Sequence, residues 1–325
     1  MIKSTLTLIA AFFIAFATIP ASAQAPYPNK PVRVIVPFPA GGPVDVVGRP
    51  VMEKLSAALG QPFVMDFRPG AGSIIGSDAV ARAEPDGYTL LFTASQHSIN
   101  PSIYEKLPYD TVKDFVAVSR VASGPLLLVV HPNVKANNVQ ELIALAKASP
   151  KKLNYASASL GSAFHLSAEV MKSMANIDMV HIPYKGGAPA TNDLLAGHVE
   201  LMFGSSVVMP HVRGDKLRLL GVTTGKRSEI IPDVPTVAEQ GLPGFDIDTW
   251  YGVLAPAGTP QPIIDLLARE IDKALADPKI VESLRNLLLV PAGGDPAQFE
   301  AQINSEIAKW RTVAKEANIV LDAQR

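Results

Sequence analysis

The chain of 325 residues contains no cysteine. That excludes disulfides, thiolate metal sites, iron–sulfur clusters, cysteine nucleophiles and lipid attachment through an N-terminal cysteine. Charge is scarce as well: 18% of residues are charged, where about 25% is typical. The 29 Lys+Arg and 30 Asp+Glu leave a formal net charge of -1. A nucleic-acid binder draws much of its affinity from Lys and Arg on phosphates, so this balance excludes a nucleic-acid partner. The six histidines (His97, His131, His165, His181, His198 and His211) never approach closer than 13 positions. No H-x-x-H or HExxH spacing exists, so no metal site and no cofactor is expected. A G-x-S-x-G nucleophile elbow is also missing, and Ser162 and His165 share one helical turn instead of separating nucleophile, base and acid.

Apolar residues are abundant at 48%, and there are 28 prolines, about 9% where about 5% is usual. At about 100–200 residues per domain, the length suggests two domains with cores of their own. Part of the apolar excess is local. Met1-Ile2-Lys3-Ser4 is short and positive, residues 6–19 form an apolar run of 14, and Pro20-Ala21-Ser22-Ala23 ends in a small-x-small pattern. A membrane span needs about 20 apolar residues. The stretch 1–23 therefore reads as a secretory signal peptide cleaved near Ala23, leaving an exported, soluble mature chain from Gln24.

From Pro31 onward, short β-branched runs alternate with amphipathic helical patterns, the signature of βαβ units and mainly parallel sheets. A first unit runs strand 32–36, a helix from Pro43 with Val44, Val47, Val51, Leu55 and Leu59 on one face, strand 63–67, helix 74–83 and strand 88–93. Pro50 lies inside the first helix and is expected to kink it or remove one hydrogen bond. A second unit starts at strand 126–130 and continues with helix 139–148, strand 153–157, helix 162–175, strand 179–182, helix 188–196, and strands 199–203 and 217–223. An apolar strand at 250–254 precedes three C-terminal helices, the last opened by Asp295 and Pro296. Gly70-Ala71-Gly72-Ser73-Ile74-Ile75-Gly76 approximates a dinucleotide fingerprint, but no acidic residue ends the following strand, so it reads as a tight turn.

Chemistry is concentrated in loops at the carboxyl ends of strands. Gly41-Gly42-Pro43 places backbone amides at a helix start, where the macrodipole favours an anion. Residues 157–162 (SASLGS) repeat the arrangement in the second unit, which points to a carboxylate-binding cleft between domains. Thr93, Ser95 and His97 leave the third strand in a third loop, and Gly204 and Ser205 form a fourth. His131 and His181 read as structural or exposed, Trp250 and Tyr251 as lining the cleft or as core, and Lys185 as solvated or reaching a distal ligand carboxylate.

Residues 31–45 (PVRVIVPFPAGGPVD), 68–76 (RPGAGSIIG), 85–93 (PDGYTLLFT), 99–115 (INPSIYEKLPYDTVKDF), 153–159 (LNYASAS), 181–188 (HIPYKGGA) and 233–244 (DVPTVAEQGLPG) together resemble the Bug family, the periplasmic receptors of tripartite tricarboxylate transporters. The resemblance runs in order over essentially the whole mature chain. It implies a two-domain, type II-like periplasmic binding-protein fold, each domain a mainly parallel sheet flanked by helices, closing on a small organic acid. It also implies a discontinuous first domain, 24–123 with 250–325, around a second at 124–249. The ligand residues it implies are Phe38, Ala40, Gly41, Gly42 and Asp45 from the first loop and Ser157, Ser159, Gly161, Ser162 and His165 from the second. Thr93, Ser95, His97, Tyr184, Gly204 and Ser205 complete the expected site. Family receptors often carry Asp-Asn where this chain has Gly204-Ser205, which argues against an amino-acid ligand. The expected partners are membrane transporter subunits, with the receptor itself a monomer. Two other readings stay open: an exported hydrolase using His97 or His165 with Ser95 or Ser162, and a module presenting its ligand to a membrane signalling protein.

Overall fold

Four of the five residues of β1 (Val32–Val36) are buried, Arg33 excepted, and a strand apolar on both faces belongs inside a sheet. The computed structural model describes residues 27–321, so the leader expected over 1–23 lies outside them. β2 (Phe63–Phe67) and β3 (Thr89–Ala94) flank β1 in parallel register. α1 (Pro43–Leu59) and α2 (Ile74–Ala81) supply the two crossovers. α1 has Pro43 in its first turn and closes on Gly60 at φ 69, the left-handed conformation that glycine adopts without a Cβ penalty. It continues through Pro50, so the expected disturbance is one forgone backbone hydrogen bond rather than a break. Gly48 lets α1 lie directly on the sheet, since a Cβ there would stand 2.5 Å from Phe92 Cε1.

Two elements lie where the sequence pattern gives no expectation. The segment expected as a loop at 93–97 turns at Ser95 into α3 (Gln96–Ile103), and β4 (Phe115–Pro125) follows. β10 (Asp248–Pro256) pairs antiparallel with both β4 and β3, and the two-residue β11 (Val290–Pro291) borders β4. The first sheet therefore has the order β11-β4-β10-β3-β1-β2. In the second, β5 (Leu127–Val130), β6 (Asn154–Ser157), β7 (Val180–Pro183), β8 (Leu201–Gly204) and β9 (Arg218–Val222) run in the order β7-β6-β8-β5-β9. β6 is parallel to β7 and β8, whereas β5 is antiparallel to β8 and β9. Both sheets are thus mixed, not mainly parallel. In the first sheet the reason is the crossover: β4 leaves straight into β5 and β10 brings the chain back beside it in the opposite direction; in the second, β5 enters from β4 and runs against both its neighbours, β8 and β9.

Helices cover both sheets. Val47, Val51 and Leu55 of α1 pack with Ile264, Leu267 and Ile271 of α8 (Gln261–Leu275) on one face of the first sheet. Phe299, Ile303 and Ile307 of α10 (Pro296–Glu316) fill the other face with Trp250 and Leu254. α9 (Pro278–Asn286) lies between α8 and β11 in the chain. Asp277 and Asp295 cap α9 and α10, accepting from the amides of Lys279 and Ala297 at 2.8 Å each. In the second unit, α4 (Val139–Ala148) and α5 (Ala163–Ala175) share a core with Tyr155, Phe203 and Phe245, while α6 (Gly187–Ala196) covers the opposite face. α7 (Met209–Arg213) is a short turn after β8. The second core also takes in Ile99 and Ile103 of α3 and Trp310 and Ala314 of α10, so these two helices belong to both units. Glu306 of α10 fastens the junction, accepting from Ser98 Oγ at 2.6 Å and Trp250 Nε1 at 2.8 Å.

His97 is core rather than loop. It is fully buried, edge-on to Phe115 at 4.8 Å and parallel to Tyr109 at 6.4 Å between ring centroids. Burial pulls its pKa from the ordinary 6.5 down to about 4, against a smaller opposing effect of the Thr111 backbone. The native state therefore holds it neutral while the unfolded chain protonates it. Stability from this group is complete above pH 6.5, falls as pH drops toward 4, and is constant below that. The loss is about 3 kcal/mol in all, measurable by urea unfolding across that window, and His97→Phe is expected to abolish this part of the acid dependence. Gly48→Val is expected to cost about 1–3 kcal/mol through the clash with Phe92, read from the midpoint of the same unfolding curves.

Candidate functional site

The loops after β1 and β6 have the same construction. In the first, Gly41 takes φ 77 and the amide of Gly42 donates to Pro39 O at 3.4 Å. In the second, Gly161 takes φ 73 and the amide of Ser162 donates to Ser159 O at 3.2 Å. Each is a tight turn with glycine at its third position, and each leads directly into a helix, α1 or α5. In both, the glycine amide is taken by the side chain four residues on. Gly41 N–H donates to Asp45 Oδ2 at 2.8 Å, and Gly161 N–H donates to His165 Nδ1 at 3.1 Å. The exposed turn tips are Pro39-Ala40-Gly41 and Ser159-Leu160. Behind them, the opening amides of α1 and α5 have no intrahelical acceptor and carry the positive end of the helix dipole. Two equivalent turn geometries, one per unit, follow from Gly41 and Gly161 being the residues that admit the turn.

α3 joins the two. Gln96 Nε2 donates to Gly161 O at 3.3 Å and to Asn100 Oδ1 at 2.8 Å. Asn100 Nδ2 in turn donates to Gly72 O at 2.9 Å and Ser73 Oγ at 3.2 Å. The turn it grips is strained, with Ala71, Gly72 and Ser73 at φ 45, 62 and 78, two of them non-glycine residues in the left-handed region. Gly76, just beyond, packs against Pro37 at the base of the first loop. A Cβ on Gly161 would run into Ile103 of α3, so the second loop rests on that helix. Gln96 and Asn100 share a helical face, and one helical step of about 100° turns His97 away from it. Gln96 occupies the place that sequence reasoning gave to His97; its signal was only that of a polar side chain just past the strand.

The remaining expected residues are distributed unevenly. Phe38 is half-buried against the first core, Asp45 is buried, and Arg49 Nη2 lies 2.7 Å from Asp45 Oδ1. Burial opposes ionisation of Asp45, but the Gly41 amide and Arg49 outweigh it and hold the carboxyl below its usual pKa. Thr93, next to last in β3, is fully buried, and Ser95 N–H donates to Trp250 O at 3.0 Å. Ser157 is buried and donates from Oγ to Ser159 O at 2.9 Å, while Ser162 Oγ donates to the same carbonyl at 2.8 Å. Tyr184 OH donates to Asp193 at 2.6 Å, and its pKa is pushed up to about 12 by burial and then by that carboxylate. Its own amide donates to Ser157 O at 3.0 Å, tying this segment to the second loop. Gly204 closes β8 in a buried position and Ser205 opens a short turn.

His165 is also buried. It stacks on His181 at 3.9 Å between centroids and 12° between planes, and His181 stacks in turn on Tyr155 at 4.8 Å. Burial draws both imidazoles down to about 4, helped by Lys172 at His165 and by the neighbouring ring at His181. His181, expected as structural or exposed, is a structural part of the second loop through its contact with Ser157 at 2.7 Å. The expected Ser162–His165 pair does not form: Ser162 Oγ meets the His165 amide at 3.4 Å, not the ring, whose Nδ1 is occupied by Gly161, and the Ser157 hydroxyl that lies 2.7 Å from His181 Nε2 gives its proton to Ser159 O. Ser95 precedes a histidine sealed in the core. A cavity of about 920 Å³ opens elsewhere, between the β9–β10 connection and α10. It is lined by Asp246, Asp248 and Glu306 beside Lys226 and Lys309. Burial pushes Asp248 up to about 7 against the pull of Arg120. Three carboxyl groups make that cavity a poor anion site, so the loops rather than the larger space are the candidate.

A family model described as tripartite tricarboxylate transporter family receptor matches residues 47–319. Protein BugT of Bordetella pertussis is 39% identical over 325 residues, covering 99% of this chain and all of that protein. An R. palustris protein solved with adipate superposes with a TM-score of 0.81 at 35% identity, covering 90% of this chain and 99% of its own. MatC from Rhodopseudomonas palustris, solved with bound malate, gives a TM-score of 0.78 at 31% identity over 88% of this chain and 99% of its own. With the family model spanning most of the described chain and the paired loops in place, this protein belongs to the tripartite tricarboxylate transporter receptors, a family of periplasmic solute-binding proteins and not of enzymes.

Proposed function

We propose that the chain captures a dicarboxylate between its two α/β units and delivers it to the membrane subunits of a tripartite tricarboxylate transporter. The observation that carries this is the pair of equivalent turns at the starts of α1 and α5, the second of them held by Gln96 of α3. One carboxylate is met by the second loop through the Ser159 and Ser162 region and the opening amides of α5, with Phe38, Ala40 and Gly42 closing from the first. Neither turn tip contains Lys or Arg. The donors are neutral, and their hydrogen bonds to an ionised group are charge-assisted and strengthen as closure expels water. Gly204-Ser205 offers no carboxylate to an ammonium, which favours a dicarboxylate over an amino acid. The relatives solved with adipate and malate support the same class.

The moving bodies on this reading are residues 24–123 with 250–325 and residues 124–249, turning about the paired crossover strands β4 and β10. Closure is a population shift toward the ligand's preferred state. The receptor acts as a monomer in the periplasm after removal of a signal peptide near Ala23, a reading supported by the pattern of residues 1–23.

Adipate or malate at about 100 times its dissociation constant is expected to add about 2.7 kcal/mol of stability, seen as a rise of several degrees in melting temperature. Aspartate and glutamate are expected to leave it unchanged, and a rise with an amino acid or a neutral sugar alone would sink the dicarboxylate assignment. Gln96→Ala is expected to weaken dicarboxylate binding about tenfold, equivalent to about 1.4 kcal/mol, by releasing Gly161 O and the Asn100 grip on the strained turn. Titration calorimetry on the folded variant checks it.

A further inference from the structure

The polar cluster behind the second loop is more elaborate than the turn requires. Glu169 accepts from Tyr155 OH and, at 2.8 Å, from Lys172 Nζ. It also lies 3.9 Å from His165 Nε2. His165 Nδ1 accepts the Gly161 amide at 3.1 Å, so the ring proton must sit on Nε2, toward the carboxylate. His181 Nε2 lies 2.7 Å from Ser157 Oγ. That hydroxyl already spends its proton on Ser159 O, so His181 Nε2–H is the donor. Both tautomers are thereby fixed by their partners. The two rings lie face to face at 3.9 Å, a separation that suits uncharged imidazoles. One ring holds the glycine amide, and the other orients the serine that saturates the turn carbonyl. The same clamp appears in the first loop as Asp45 on Gly41, an independent instance of the device, but there the clamping group is a carboxylate balanced by Arg49.

We infer that His165 and His181 are positioning residues for ligand capture: as a neutral stacked pair they set the second loop with its free amides turned outward, and they do so without touching the ligand. An uncharged acceptor beneath the turn matters because a carboxylate there would face the incoming anion across the loop. Glu169, Lys172 and Tyr155 are the charged and titratable groups around the pair, and Lys172 neutralises Glu169. The idea rests on the dicarboxylate reading for its affinity readout only, because the state of the Gly161 amide is measured without ligand.

The test uses the mature chain, adipate as probe, and variants that separate hydrogen bonding from packing. His165→Phe keeps a ring in the stack but removes the acceptor; His165→Asn places an amide oxygen near the Nδ1 position. His181→Leu and His181→Gln make the same distinction for the donor to Ser157. Hydrogen exchange of the Gly161 amide is expected to lose protection in His165→Phe and to keep it in His165→Asn. Adipate affinity is expected to fall about tenfold to a hundredfold in His165→Phe and His181→Leu, the range for a buried polar group left without its partner. It should stay within about threefold of the parent in His165→Asn and His181→Gln, a rescue that merely structural histidines would not give. Unchanged Gly161 protection in His165→Phe overturns the inference, as does equal loss in His165→Phe and His165→Asn. If the parent itself binds no dicarboxylate, the ligand class fails while the exchange measurement still decides the role of His165.

Discussion

A glycine that enters a helix through a left-handed turn has an amide pointing away from the helix ladder, and that amide must find a partner or cost the protein a buried donor. In this chain both such amides are caught by the side chain one helical turn later, Asp45 for Gly41 and His165 for Gly161. Fixing that one donor fixes the turn, because the preceding carbonyl is then closed by the amide three residues on. The tip residues and the opening amides of α1 and α5 are left facing outward as a consequence. Replacement of either glycine is strained by its φ alone, and at Gly161 the added Cβ would also collide with Ile103. The paired-turn geometry on which the proposed anion site rests is therefore a by-product of how the backbone satisfies itself at two helix starts.

The two units that carry these turns share structure. β4 runs from one sheet into the other with only Leu126 between it and β5, and β10 returns beside it. Two adjacent strands restrict relative motion to few directions, which suits a hinge. α3 and α10 then extend from the first unit into the core of the second through Ile99, Ile103, Trp310 and Ala314. Glu306 ties both helices to β10. Gln96 and the buried Asn100 extend from one face of α3, so the second loop and the strained turn at Ala71–Ser73 are positioned by the same helix.

Much of this architecture is legible in the residues because local chemistry agrees with the global fold. Val32–Val36 declares a buried strand, Pro43 and Gly60 bracket α1, Asn138 and Ser162 cap α4 and α5 with their side chains, and Asp295 caps α10. What is not legible depends on distant partners. α3 carries Pro101 and is mostly polar, so no apolar period announces it; it is a helix because Ile99 and Ile103 find a core from the other unit. His97 follows as a misplacement, since a residue one step from Gln96 points to the opposite side once the segment is helical. β4 antiparallel to β10 requires a strand more than 120 residues away in the chain, and no periodicity encodes that. His181 looks inert in sequence because its stack with His165 and its bond to Ser157 join separate strands and helices. The candidate loops themselves were readable from glycine, serine and helix starts, whereas the clamps under them needed the structure.

The two clamps differ in charge, and that difference bears on how a receptor releases what it binds. Unit charges about 4 Å apart interact with about 1 kcal/mol in water and about 4 kcal/mol at the effective permittivity of a protein surface. A lysine or arginine directly on the ligand would gain that much more on closure, and the same amount would oppose opening at the transporter. Neutral amides at helix ends give a graded attraction that weakens as water re-enters. At the first loop the carboxylate clamp is kept ionised by Gly41 and Arg49, so its charge is spent within the protein rather than on the solute. At the second loop the imidazole is kept uncharged by burial, so in the proposed site the clamping group itself adds no charge beneath the turn, and the nearby Glu169 is paired with Lys172. On the proposed binding mode, both arrangements leave the solute's own charge as the one that the outward amides answer, which would make binding sensitive to closure, the step a transporter partner would reverse.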